Sequence, residues 1–277
     1  MDNSALDDDP ESGADDATVV FPSTDLMLSR FFSDSPPPVQ VDFGAVSHAG
    51  KVQARNEDHY AIVRHRRFRE IVATNLPDDA IPSPEENAYA MVVADGMGGA
   101  AFGELASTRV LRTAMDLARQ EVLWSVTATE ENTRELKLKL ARFVQLIDRT
   151  LFDQAAADGD LAGMGSTLTG VYTAGVDALV VHVGDSRAYL HRDRRLNRLT
   201  RDHTASQELI DAGFFKTDSR PVKKLSHLLT NCIGGVDPGV LVDIEQLTLA
   251  HGDRILLCTD GLTAVVPDTE ILLPLDD

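Results

Sequence analysis

Residues 91–99 read MVVADGMGG, and the rest of the chain is organised around them. A continuous apolar run that ends in glycines is typical of a buried strand followed by a flexible loop. Asp95 stands where the predicted strand ends, and the glycines after it let a ligand or a metal ion approach the backbone closely. The Asp95 carboxylate and the Gly96 carbonyl are hard oxygen donors of the kind that Mg2+ and Mn2+ prefer. Because an Asp-Gly pair at a strand end is also a common turn, a purely structural role stays open on these residues alone.

Acidic residues stand at the ends of three other predicted strands. Glu57 and Asp58 precede a strand, while Asp185 and Asp260 each come at the end of an apolar run. Acids at the same end of neighbouring strands can converge, and converging carboxylates repel one another strongly unless a cation bridges them. The pattern therefore predicts a divalent-metal site, unless the acids stay apart in the fold. No His or Cys is placed to favour zinc.

The composition is that of a globular protein with a strong negative charge. The chain has 277 residues, 43% of them hydrophobic and 25% charged, and a net charge of −18. This acidity argues against nucleic acid or a membrane surface as the main partner, and a phosphorylated substrate would be repelled unless bound cations reverse the local field. Two unpatterned cysteines indicate a reducing compartment. Since the N-terminus has no signal-peptide pattern and no apolar stretch could span a bilayer, we predict a cytoplasmic location.

The composition changes near residue 41. Residues 1–40 contain nine acids, one base and a proline run, which predicts a disordered acidic tail. From residue 41 the pattern predicts a strand and a glycine-ended turn over 41–50, amphipathic helices over about 104–122 and 130–157, and then an antiparallel meander. We therefore expect a tail at 1–40 and one domain at 41–277.

Six segments occur in the order, and roughly the spacing, of a known family: RNEDHY, DGMGG, GMGSTLTG, GDSRAYL, LTRDHT and LLCTDGL. With them the chain from residue 41 onward resembles the bacterial form of the PPM-type (protein phosphatase 2C) metal-dependent serine/threonine phosphatases. The resemblance implies an α+β fold, a four-layer αββα sandwich in which two antiparallel sheets pack face to face between helix pairs. The predicted strands and helices are compatible with that architecture.

The resemblance also implies a metal centre and an activity. Asp95 would bridge two Mn2+ or Mg2+ ions and act with Asp260 as the catalytic pair, Glu57 would serve the second ion, and Asp185 would match a third-ion site. Asp202 would lie beside this cluster, and residues 205–235 would form a substrate flap. The implied reaction is hydrolysis of phosphoserine and phosphothreonine by a metal-activated water, on protein substrates of a serine/threonine kinase. The implied ligands are Glu57, Asp58, Asp95, Gly96, Asp185 and Asp260.

Three features depart from the family pattern. Gln53 stands where the family has an arginine that grips the phosphate, and Arg55 is the candidate substitute. Met97 occupies the position of a histidine that eukaryotic members carry as the proposed general acid, while Met is usual in bacterial members. The sequence ends before the family's closing G-x-D-N segment. We therefore expect a domain truncated at its C-terminal end, without one ligand of the first metal and without a late strand.

The residues leave three functional hypotheses. The leading one is a protein serine/threonine phosphatase, favoured by the retained acids. The alternative is a catalytically impaired regulatory or binding module with the same fold, favoured by Gln53 and the absent closing acid. A phosphohydrolase of small molecules is allowed by the acidic strand ends alone, but the order of the six segments argues against it.

Overall fold

Two antiparallel sheets, one large and one small, carry the acidic motifs of this chain. The computed structural model describes residues 39–51, 55–68, 70–76, 86–98, 102–118, 130–158, 161–216, 219–236 and 239–276. The strands among these residues are β1 (Asp58–Arg67), β2 (Glu86–Met97), β3 (Gly165–Ser166), β4 (Leu168–Ala174), β5 (Asp177–Val183), β6 (Arg187–Arg192), β7 (Arg195–Arg198), β8 (Ile233–Gly234), β9 (Asp243–Thr248) and β10 (Arg254–Cys258). The helices are α1 (Phe102–Ala118), α2 (Glu130–Ala157), α3 (Ala205–Asp211), α4 (Arg220–Leu225), α5 (Asp260–Thr263) and α6 (Asp268–Asp276).

Strands β1 and β2 form a long hairpin that joins the first two acidic motifs. Asp58 is the register partner of Asp95, and the amide of Gly96 donates to the carbonyl of Glu57 at 3.2 Å. The predicted strand before Asp95 is confirmed, but β2 runs on to Met97. The reason is that Gly96 and Met97 pair with the short strand β3, which extends the ladder past the apolar run.

The layers follow from the two faces of the large sheet. Its strand order is β8-β3-β2-β4-β5-β9 with β1 paired to β2, and the small sheet has the order β10-β6-β7. One face of the large sheet packs against α1 and α2, where Val110, Val144 and Val183 are buried together. The other face packs against the small sheet, where Val180 meets Ala188. The predicted α+β fold with two antiparallel sheets is confirmed, whereas a helix pair forming the fourth layer is not shown by the described residues.

Helices α1 and α2 form where the apolar spacing predicts them. Helix α2 spans Glu130–Ala157 as predicted, and its buried residues recur every three or four positions, which places them on one face. Helix α1 is described over Phe102–Ala118, and its predicted continuation to about residue 122 lies outside the described residues. The acid-to-glycine step at Asp260, predicted as a strand end, also begins the short helix α5.

The strand predicted over 41–50 is wrong. Residues 42–48 are exposed and form no ladder, so the segment does not pair with the sheet. It contacts the sheet through a side chain, because Phe43 lies against Tyr89 of β2 with the ring centroids 5.3 Å apart. All described residues belong to the unit Pro37–Asp277, and the predicted tail lies almost wholly outside them, so the division at residue 40 stays a prediction. No helix in the described part of the chain is both long enough and apolar enough to cross a membrane.

Candidate active site

Four aspartates on different elements lie close together. Asp58 begins β1 opposite Asp95 on β2, Asp185 follows β5, and Asp260 begins α5 directly after β10. Asp95, Asp185 and Asp260 line one cavity of about 530 Å3. The structure therefore brings together four of the acids that the sequence singles out, although they are separated by up to about two hundred residues along the chain.

The environment of these aspartates opposes their ionisation. Burial, followed by the charges of Asp58, Asp260 and Asp185, raises the pKa of Asp95 to about 9. Burial and the charges of Asp260 and Asp202 raise the pKa of Asp185 to about 7. Burial also raises the pKa of Asp58. Without a cation, the folded chain therefore holds protons on groups that would release them in the unfolded chain.

These shifts predict how the stability of the metal-free protein depends on pH. Asp95 and Asp185 have folded pKa values above the ordinary value of about 4, so the native state binds more protons than the unfolded state between about pH 4 and pH 9. The free energy of unfolding should therefore fall as pH rises through this window. Thermal melting with a chelator present should give a lower Tm at about pH 8 than at about pH 5. A Tm that rises over the same interval would contradict the close packing of these carboxylates.

Glu57 and Gly96 lie together beside the first turn of α1. A Cβ added to Gly103 would stand 2.4 Å from Oε2 of Glu57 and 2.7 Å from the carbonyl oxygen of Gly96. The buried hydroxyl of Ser107 donates to the carbonyl of Glu57 at 2.6 Å, and His59 Nδ1 lies 2.9 Å from that hydroxyl. Two predicted ligands of one ion are thus neighbours, and α1 determines their position.

The backbone of Asp95 is held by two residues whose role sequence reasoning missed. The amide of Asp95 donates to Thr167 Oγ1 at 2.9 Å, and the amide of Thr167 donates to the carbonyl of Asp95 at 2.8 Å. Ser166 Oγ donates to the same carbonyl at 3.0 Å. Ser166 and Thr167 are both buried. The signal that could have found them is the Ser-Thr pair inside GMGSTLTG, one of the six family segments.

Asp58 and Asp202 are held by other side chains. Thr259 Oγ1 donates to Asp58 Oδ2 at 2.9 Å, which opposes part of the rise in the pKa of Asp58. Asp202 lies near Asp185, as predicted, but it accepts two hydrogen bonds from Arg187, at 2.7 and 3.1 Å, and a further one from Arg198. Since both of its oxygens are engaged by guanidinium groups, Asp202 neighbours the cluster as an ion-pair partner.

The predicted flap supplies one wall of the cavity. It is tied at its base, where the amide of Thr230 donates to the carbonyl of His203 at 2.9 Å and Thr204 bridges to Leu229. His227 Nδ1 lies 3.7 Å from Asp260 Oδ2. The residues of this segment that line the cavity are His227, Leu228, Leu229, Thr230, Asn231, Cys232, Gly234 and Gly235.

The predicted phosphate-binding residues lie elsewhere or are not described. Arg55 is exposed and is not among the described residues that line the cavity. Gln53 lies outside the described residues. Met97 does line the cavity, next to Asp95. A role of Arg55 or Gln53 in holding phosphate therefore stays a prediction.

The donor atoms fit a hard divalent cation. They are carboxylate oxygens of aspartate and glutamate together with the carbonyl of Gly96, the ligand set that Mg2+ and Mn2+ prefer over zinc. Within the described ranges, no group of three or more His, Cys, Asp or Glu side chains is already arranged to hold a metal ion. The carboxyl of Asp260 lies near enough to Asp95 to contribute to the raised pKa of Asp95. A bound cation would replace the protons that these carboxyl groups hold in its absence.

Comparison with known proteins identifies the family. The family model for protein phosphatase 2C matches residues 69–275, which include β2, Asp95, Asp185 and Asp260. The chain belongs to the protein phosphatase 2C family. The predicted resemblance is thereby confirmed, together with the predicted enzyme class, a protein serine/threonine phosphatase.

Individual phosphatases agree with this family assignment. The serine/threonine phosphatase stp of Listeria monocytogenes is 32% identical to this protein phosphatase 2C member over 187 residues, which cover 68% of this chain and 71% of stp. The serine/threonine protein phosphatase PstP of Mycobacterium tuberculosis is 34% identical over 192 residues, 68% of this chain and 35% of PstP. The crystal structure of the PstP catalytic domain in complex with two manganese ions has a TM-score of 0.56 and 30% identity, and the match covers 79% of this chain and 86% of that one.

Proposed function

We propose that this protein phosphatase 2C member hydrolyses phosphoserine and phosphothreonine in proteins, with Mn2+ or Mg2+ held by its converging acids. The observation that carries the proposal is the cavity lined by Asp95, Asp185 and Asp260. Ionised carboxylates placed so closely repel a phosphate dianion, so a bound cation is needed before phosphate can approach them.

Each predicted ligand has a distinct place in this proposal. Asp95, Asp260, Glu57 and the Gly96 carbonyl would together hold two ions. Asp185 and Asp58 would hold a third. When bound, the ions supply an activated water as nucleophile and neutralise the charge on the phosphate oxygens.

The chain's own side chains keep these ligands in position. The hydrogen bond that the Asp95 amide donates to Thr167 Oγ1, and the one that Ser166 Oγ donates to the Asp95 carbonyl, hold Asp95 in the lining of the cavity. Thr259 orients the Asp58 carboxylate. Arg187 neutralises Asp202, so that Asp202 does not add its full repulsion to the Asp185 carboxylate. Such fixed neighbours lower the reorganisation needed when charge develops on the reacting phosphate.

The substrates that fit this site are proteins that a serine/threonine kinase has phosphorylated. Flap residues line the same cavity as the aspartates, so a phosphorylated side chain can reach the aspartates while the rest of the peptide lies against the flap. The stp and PstP relatives are serine/threonine phosphatases by name, which supports the same class of substrate.

Phosphate release tests the proposal. A serine phosphopeptide and p-nitrophenyl phosphate should both be hydrolysed when Mn2+ is added, and a chelator should stop both reactions. Hydrolysis of the aryl phosphate alone would favour a small-molecule phosphohydrolase. Binding of Mn2+ with no turnover of either substrate would favour the impaired regulatory module.

A further inference from the structure

One wall of the cavity is a loop that is hydrogen-bonded to α2. Gly234, Gly235, Val236 and Gly239 line the cavity that also contains Asp95, Asp185 and Asp260. The loop includes the short strand β8, and the amide of Gly235 donates to the carbonyl of Met164 at 2.8 Å. We call its described residues, 233–236 and 239, the wall loop.

Asp148 is a buried carboxylate on α2 that binds this loop at two points. Its side chain is only 3% exposed. Oδ1 accepts a hydrogen bond from the amide of Gly234 at 2.7 Å, and Oδ2 accepts one from the amide of Gly239 at 3.2 Å. Burying an aspartate is costly unless its oxygens are hydrogen-bonded. Both hydrogen bonds join Asp148 to the wall loop. The interactions that compensate for the burial of the carboxylate therefore also hold the loop in place.

Gly234 of the wall loop packs closely against Leu151 of α2. A Cβ on Gly234 would stand 2.8 Å from Leu151 Cδ2 and 2.8 Å from the carbonyl oxygen of Met164. Gly234 and Gly239 also adopt positive φ angles of 76° and 111°. The contact therefore requires glycine at Gly234 and a fixed distance from α2, and Asp148 supplies the hydrogen bonds that hold that distance.

We propose that Asp148 is a positioning residue that fixes the wall loop for protein substrates and so determines how well the enzyme selects a phosphopeptide over a small phosphate ester. The proposal rests on the proposed phosphatase function. The phosphate of either substrate must reach the aspartates, but only a peptide extends further, to the flap and the wall loop. Leu228 of the flap and Val236 of the wall loop present apolar side chains there, 57% and 80% exposed, which suits peptide side chains next to the phosphorylated residue.

Asp148→Asn tests this inference because asparagine keeps the size of the side chain but only one acceptor oxygen. We expect the KM for a serine phosphopeptide to rise about tenfold, while kcat and KM for p-nitrophenyl phosphate change less than about threefold, both with Mn2+. Asp153→Asn is the matched control, since Asp153 lies on the same helix with a side chain that is 68% exposed. In the control variant, the ratio of phosphopeptide hydrolysis to p-nitrophenyl phosphate hydrolysis should be unchanged.

The outcomes separate this inference from the proposed function. Equal losses on both substrates, or no change on either, would overturn the role of Asp148, because a general structural defect does not discriminate between substrates. Should Asp148→Asn fail to fold, Val236→Asp replaces it, since the exposed position tolerates the change. Val236→Asp should raise the phosphopeptide KM, and an unchanged KM would overturn the inference. A wild-type protein that hydrolyses neither substrate would instead defeat the proposed function.

Discussion

Asp95→Asn should lower Mn2+-dependent phosphopeptide hydrolysis by about two to three orders of magnitude. The substitution keeps the size of the side chain and the backbone bonds to Thr167, but it removes one negative charge from the centre of the cluster. An amide is a far weaker ligand for two hard cations than a carboxylate. Initial rates of phosphate release measure the effect. Asp116→Asn on α1, an exposed aspartate away from the cavity, is the matched control and should retain full activity.

The same variant should melt differently from the wild type. In the metal-free protein, the Tm of Asp95→Asn should equal or exceed that of the wild type, because the amide no longer repels Asp58, Asp260 and Asp185. Mn2+ should raise the Tm of the wild type, since a ligand of the native state stabilises it, and should raise that of the variant much less. Full Mn2+-stimulated activity in Asp95→Asn would show that Asp95 does not hold the ions.

Gly96→Ala should both destabilise the fold and abolish metal-dependent activity. The new Cβ would lie 1.8 Å from the carbonyl oxygen of Gly103 and 2.4 Å from its carbonyl carbon. Both are main-chain atoms, so no side-chain rotation can relieve the clash, and the start of α1 must move away from β2. Glu57, which contacts Gly103, would move with it. We expect the free energy of unfolding to fall by about 3 kcal/mol, the upper end of the usual range for overpacking.

Urea unfolding and phosphate release together measure the effect of Gly96→Ala. Gly44→Ala is the matched control, because a Cβ at Gly44 would meet no atom within 4 Å. It should leave both stability and activity close to those of the wild type. If Gly96→Ala behaved like this control, the contact between β2 and α1 would not be what positions Glu57 and the Gly96 carbonyl.

The local pattern of apolar residues in the sequence was sufficient to predict much of the fold. The apolar spacing of α2 predicted its bounds, because one face of a long amphipathic helix must be buried wherever the helix packs. The strand before Asp95 and the antiparallel meander were likewise predicted, and the order of the six segments identified the family. The strand predicted over 41–50 failed because a local apolar pattern does not specify a pairing partner: residues 42–48 are exposed and form no ladder.

The sequence by itself determined the family, the two-sheet fold and the identity of the acids. Tertiary structure alone decided which of them meet and what holds them. Asp95 is hydrogen-bonded to Thr167, which lies 72 positions later in the sequence, and Asp148 is hydrogen-bonded to Gly234, 86 positions later. Arg55, chosen for its charge, is exposed and does not line the described cavity. Periodicity reports only which face of an element is buried, whereas the partner of a buried polar group depends on how distant elements pack.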